Sequence, residues 1–185
     1  MGSEETFQTV LEACRLGAGW AWRQIYDDLA PSVLRYFRFR GAPEPEDLLG
    51  DTFVTVVRKL PTFNGGERDF RAWVFTIARS RSIDDSRARA RRPVRPASVD
   101  ELIAHGHSGD VEAEALRSLA TQHIRGVLGQ LTDDQRDVLA LRLLEGLTID
   151  EIAQVLGKRP GAVKALQARG IAAIRRESIT GAVTL

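Results

Sequence analysis

The sequence predicts an all-α chain of two small helical domains joined by a flexible linker, and three observations carry that prediction. Apolar residues recur at steps of three and four through most of the chain, the spacing that lines one face of a helix. Aromatic residues are only 6% of the 185, while Leu, Ala, Arg and Glu are frequent, which favours helix over sheet. Between Pro93 and Gly109 the periodicity lapses and prolines, glycines and histidines appear, the mark of a tether.

In the first domain, residues 1–92, the residues Trp22, Ile25, Tyr26, Leu29, Val33 and Phe37 fall on one helical face. Pro31 is expected to interrupt that face and begin a second helix. The run from Gly41 to Pro45 is a break. The helix that follows carries Glu46 and Asp47 in its first turn, where the helix dipole favours acids. Its stripe is Leu48, Leu49, Thr52, Phe53, Val56, Val57 and Leu60. Pro61 to Asp69 reads as a polar loop around Asn64-Gly65-Gly66. A further helix carries Phe70, Trp73, Val74 and Ile77, with Trp73 on its core face, and runs on into arginines.

Residues 93–115 form the linker and 116–185 the second domain, where Ile124, Val127, Leu128 and Leu131 resume helical spacing. Thr132-Asp133-Asp134-Gln135 and Thr148-Ile149-Asp150-Glu151 both match the capping box, in which a threonine hydroxyl and a Gln or Glu reciprocally satisfy free backbone N–H groups. The first box launches a helix with Val138, Leu139, Leu141, Arg142 and Leu143, ended near Gly146 by a left-handed cap. The second launches a short helix with Ile152, Ala153, Val155 and Leu156. Gly157 closes it with the positive φ that glycine reaches without strain. Pro160 then opens a helix that buries Val163 and Leu166. Small Ala153, Gly157 four residues on, and apolar Val163 and Leu166 follow the packing order of a DNA-reading helix-turn-helix, Ile149 to Ala168. The outward residues of its second helix are small or basic, so it can sit deep in the major groove.

Charge is unequally distributed although the net is only +1. Arg79 to Arg95 holds seven arginines against two aspartates, whereas Val99 to Glu114 holds five acids and no Lys or Arg. A polyanion-binding patch beside an acidic connector accounts for that contrast. The lone Cys14 excludes an internal disulfide and reads as a small buried hydrophobe on the first helix. With no signal-peptide pattern and no apolar run of about 18 residues, the expectation is a cytoplasmic protein without membrane insertion.

Two independent runs then identify a family. Glu46 to Phe63 (EDLLGDTFVTVVRKLPTF) with Phe70 to Arg92 (FRAWVFTIARSRSIDDSRARARR), and Leu131 to Arg176, resemble regions 2 and 4 of the extracytoplasmic-function sigma factors of the sigma-70 family. The resemblance implies a factor that directs bacterial core RNA polymerase to promoters. Asp47, Leu48, Asp51, Thr52, Phe53 and Val57 would dock on the β′ clamp. Phe63, Asn64, Arg79, Ser80, Asp84 and Arg87 would open and read the −10 element. Arg142 and Thr148 would hold phosphates of the −35 duplex, and Arg159, Gly161, Ala162, Lys164, Ala165, Gln167 and Arg169 would read it. An anti-sigma factor is the implied inhibitor.

The sequence departs from the family pattern at Ser80, Gly50, Ala162 and Ala165. Gly170, inside the last helix, is expected to cost about 1 kcal/mol relative to Ala. An autonomous regulator is the alternative, but no heptad seam for a two-fold dimer is visible. The three histidines (105, 107, 123) lie in or beside the linker. Without metal-ligand spacing, a phosphate loop or a nucleophile motif, neither an enzyme nor a cofactor is expected.

Overall fold

The computed structural model describes residues 4–91 and 129–182, with side chains as far as Arg176. Every regular element among them is helical. The order is α1 (Glu4–Arg15), α2 (Gly19–Phe39), α3 (Pro45–Lys59), a 3-10 turn (Leu60–Thr62) and α4 (Glu67–Arg91), then α5 (Asp133–Leu139), a π-helical turn (Ala140–Leu144), α6 (Ile149–Leu156) and α7 (Pro160–Ala182). The expected linker, and Ile124, Val127 and Leu128, lie outside the described residues.

Helices α1 to α4 form a bundle around Phe7, Ile25, Tyr36, Phe37, Val56, Phe70 and Phe75, all fully buried. Cys14 is buried among them, and burial pushes its thiol up to about 11, as a small core hydrophobe requires. The helix does not break at Pro31: α2 runs unbroken from Gly19 to Phe39. The proline sits on the exposed face, where the Asp27 carbonyl that loses its intrahelical partner can be met by water. The polar loop is also shorter than its composition suggests, because α4 starts at Glu67. Asp69 supplies the reason: its Oδ2 accepts from the Gly66 N–H at 3.1 Å, a reach-back contact of the kind that fixes a helix start.

Both capping boxes of the second unit are formed. The Gln135 N–H donates to Thr132 Oγ1 at 3.3 Å while Gln135 Oε1 accepts from the Thr132 N–H at 3.0 Å. At the second box, Glu151 Oε2 accepts from the Thr148 N–H at 2.6 Å. Gly146 and Gly157 have φ of +67° and +62°, the left-handed conformation expected of each. The helix after the first box is shorter than its pattern, since α5 passes into the π-helical turn at Ala140 and leaves Leu143 exposed. Ile152, Val155 and Val163 are buried where α6 meets α7.

Gly170 corrects a sequence expectation. A Cβ there would lie 2.9 Å from Leu139 Cδ1 and 3.3 Å from its Cγ. Leu139 is itself buried, so the glycine is what lets α7 approach α5, and its helix-propensity cost is offset by close packing.

The two units are in direct contact. Helix α4 packs on α6, α2 packs on the π-helical turn, and buried apolar residues of both units join in one continuous cluster.

Candidate nucleic-acid interface

Helix α3 presents Asp47 and Asp51 to solvent one turn apart. Val54 and Val57 are exposed further along it, by 66% and 49%. Beside them a groove is lined by Trp22, Arg23, Tyr26, Asp27, Phe53 and Val57. The ring of Tyr26 stands 4.8 Å from that of Phe53. Acids beside exposed valines suit a basic helical partner with an apolar stripe. The other predicted docking residues contribute differently. Thr52 is buried and its hydroxyl donates to the Leu48 carbonyl at 2.7 Å, Phe53 forms the groove floor, and Leu48 is half-buried.

The −10 candidates divide as well. Asn64, Ser80, Asp84 and Arg87 are exposed, along the loop and one side of α4. Phe63 is buried, packed 5.0 Å from Trp73 and 5.2 Å from Phe70, so it anchors the loop that carries Asn64. The Arg15 guanidinium holds the same loop by donating to the Phe63 carbonyl at 2.6 Å.

On α7, Arg159, Gly161, Ala162, Lys164, Ala165 and Arg169 are all exposed and Gln167 is half-buried. The chain at Gly161, Ala162 and Ala165 is bare enough for close approach to a groove, with cations at both ends. Arg142 is exposed, but one of its nitrogens donates to the Leu147 carbonyl at 2.8 Å. The Thr148 hydroxyl is engaged with Glu151 at 2.7 Å. These two residues brace the turn into α6 while facing solvent.

Arg79 has a partner that the sequence reading missed. Its Nε donates to Asp137 Oδ2 at 2.8 Å, and its terminal nitrogen to Asp134 Oδ1 at 2.9 Å. Asp137 is fully buried. It also accepts from the Tyr36 hydroxyl at 2.8 Å and pairs with Arg40 at 3.1 Å. Burial, followed by the Asp137 carboxylate, raises the Tyr36 phenol well above its ordinary range. Burial alone would lower the Arg79 guanidinium, but Asp137, with Tyr36 and Asp134, outweighs it and the net shift is upward. For Asp134, burial works against ionisation, yet Lys158 and Arg79 hold the carboxyl below its usual range. Glu145, also buried, pairs with Arg35 at 3.1 Å and Arg71 at 3.3 Å. A signal was present in the pattern: the acids Asp137 and Glu145 stand four residues to either side of the apolar Leu141. Acids at such inward positions demand cations.

The comparisons with known proteins follow the same division. Residues 22–92 match the family described as Sigma-70 region 2, and residues 122–174 that described as Sigma-70, region 4. The ECF RNA polymerase sigma factor ShbA of Streptomyces griseus is 32% identical over 168 residues, 86% of this chain and 88% of ShbA. The chain belongs to the extracytoplasmic-function sigma factors. BldN of Streptomyces coelicolor, another such sigma factor, is 32% identical over 169 residues, which are 90% of this chain and 64% of BldN.

Among solved structures, CnrH in complex with the cytosolic domain of CnrY has a similar fold, with a TM-score of 0.70 at 24% identity over 92% of this chain and 95% of CnrH. The sigma factor RpoE in complex with the anti-sigma factor NepR, from Bartonella quintana, gives 0.62 at 20%, covering 84% of this chain and 94% of RpoE. In this sigma factor no described helix is long and apolar enough to cross a membrane.

Proposed function

We propose that this sigma factor binds core RNA polymerase and directs it to promoters by reading −10 and −35 elements. The observation that carries the reading is the coexistence, in a member of this family, of two unlike faces that both stay in solvent. One is the acidic and apolar surface of α3 (Asp47, Asp51, Val57); the other is the small and basic surface of α7 (Gly161, Ala162, Lys164, Arg169).

In this reading α3 docks on the β′ clamp. Loop residue Asn64 and the α4 residues Arg79, Ser80, Asp84 and Arg87 meet the −10 element. The strand of that element must be unpaired before polar groups can reach its base edges, and cations clamp its backbone. Helix α7 enters the −35 major groove, with Arg159, Lys164 and Arg169 on phosphates or guanine and Gln167 within reach of adenine. Arg142 and Thr148 hold flanking phosphates. The chain works in the cytoplasm and performs no catalytic step of its own. An anti-sigma factor, the kind of partner named with Bartonella quintana RpoE, is its inhibitor. Residues 1–92, 93–115 and 116–185 are the docking and −10 domain, the linker and the −35 domain.

The test is co-elution with core polymerase followed by run-off transcription from genomic fragments. The parent chain is expected to co-elute and to give discrete transcripts. Asp47→Arg with Asp51→Arg should lose co-elution by placing cations against a basic partner. Full retention by the double variant would move the interface away from α3.

A further inference from the structure

The loop that carries Asn64 has little of its own to hold its shape. Phe63 is fixed by its ring against Phe70 and Trp73. After Asn64, however, come Gly65 and Gly66, which have no side chains to pack. Glycine also loses the most conformational freedom on ordering, so two in succession would leave Asn64 tethered on one side only.

Helix α1 supplies the missing hold. Phe7, Val10, Leu11 and Cys14 bury one side of it. Glu4, Gln8 and Arg15, at spacings of four and seven, share another side, and that side lies along the loop. Arg15 donates to the Phe63 carbonyl at 2.6 Å, and the Gln8 amide donates to the Gly65 carbonyl at 3.1 Å. Glu4 Oε1 accepts from the same Gln8 nitrogen at 3.3 Å, which orients that amide toward the loop. Glu4 also closes over Gly66, where a Cβ would lie 2.7 Å from its Oε1. On the other side Asp69 accepts from the Gly66 N–H, and a Cβ on Gly65 would meet Asp69 Cβ at 2.8 Å. The two carbonyls held from α1 are those on either side of Asn64, which itself stays exposed. Helix α1 precedes residues 22–92, the stretch that matches Sigma-70 region 2.

We propose that Gln8 and Arg15 are positioning residues for −10 recognition: by holding the carbonyls that flank Asn64, they fix where its amide meets a base edge. The proposal rests on the assignment of Asn64 to the −10 element made above. An unpaired base is read by hydrogen bonds of set direction to its edge, so the selectivity of an amide depends on the backbone beneath it. A loop held at one end still lets Asn64 reach a base, but in many orientations. Preference among bases is then lost before binding is.

The experiment measures the hold and its consequence separately in the full chain. Arg15 is exposed and Gln8 half-buried, so Gln8→Met with Arg15→Met removes both donors while keeping their stems and the bundle core. In the isotope-labelled chain, the backbone amides of Asn64 and Gly65 should show order parameters of about 0.85 in the parent and below about 0.6 in the double variant. Arg15→Lys alone, which keeps a donor, should stay near the parent. Equal values in the parent and the double variant overturn the hold.

Base preference is read with core polymerase, as initiation from the strongest promoter recovered by run-off transcription and from its single-base replacements through the −10 element. If the released loop keeps the reading position about one tenth of the time, the preferred base loses about tenfold of its advantage over the others. The loss should fall at the position where Asn64→Ala also removes preference, and Arg15→Lys should retain most of it. A uniform fall on every base, the mark of a merely weakened chain, or an unchanged preference overturns the positioning role. Failure of the underlying assignment looks different. Asn64→Ala would then leave every −10 preference intact, which ends the part of this loop in promoter choice while the order parameters still judge the hold.

Discussion

Arg79 on α4 and Lys164 on α7 are both cations on helices proposed to meet promoter DNA, yet their surroundings are opposite. Arg79 lies between two carboxylates of the other unit, one of them fully buried. Lys164 faces water on a helix whose neighbouring residues are small. The difference teaches that residue type and helical position define what a side chain can bind, whereas its availability depends on what the rest of the chain places against it. A spare cation is ready for a phosphate; a paired one must first lose its partner.

The largest expected effect breaks the Arg79 side of this contrast. Arg40→Ala leaves Asp137 buried with one fewer cation, and losing one partner of a buried pair costs about 3–5 kcal/mol. Separation of the units limits that loss by returning Asp137 to water. Calorimetry of the full chain should therefore show two transitions for the variant where the parent shows one. An unchanged single transition would mean that the two units are held by their apolar contact and that the ionic contact is incidental.

A middle-sized effect tests the open side. Lys164→Ala with Arg169→Ala should weaken binding to a −35 duplex by about tenfold, and lower the salt dependence by about 0.9 in slope for each phosphate that is no longer neutralised. Fluorescence anisotropy across a salt series measures it. Unchanged affinity and salt slope would remove Lys164 and Arg169 from the contact set.

The smallest effect compares two glycines that look alike in the sequence, each inside a helix. Gly50 on α3 has open space where a Cβ would go, while Gly170 would meet Leu139 at 2.9 Å. Gly50→Ala should therefore gain about 0.5–1 kcal/mol in stability. Gly170→Ala should show no such gain, and loses about 1–3 kcal/mol if Leu139 has no room to shift. Denaturant midpoints for the two variants decide it, and an equal gain at both would remove the close-packing role of Gly170.

Most of the local structure was legible because its causes are local. Thr132 with Gln135, and Thr148 with Glu151, bond within three residues of one another, so the boxes could be read directly. Gly157 signalled its own φ. Pro31 misled for the opposite reason: whether a proline breaks a helix depends on what meets the carbonyl it strands, and here that face is open to water. The apolar stripes gave the cores, but could not say that Phe63 turns inward, since its partner Trp73 is brought to it by the fold of a loop.

By itself the sequence determined the helical class, the two units, the helix-turn-helix with its caps, and the resemblance to a sigma factor. Periodicity, capping and short spacing are properties of neighbouring residues, which backbone geometry alone converts into structure. The tertiary structure decided that Asp137 reaches Tyr36, Arg40 and Arg79, and that Glu145 reaches Arg35 and Arg71. It also decided that Gly170 is a contact, not a flaw. Those pairs are separated by some 58 to 110 residues of chain, and no pattern along the chain specifies which buried acid will find which cation. Only the packing of α2 and α4 against the second unit brings them within hydrogen-bonding distance, where burial leaves the two carboxylates no alternative partner in water.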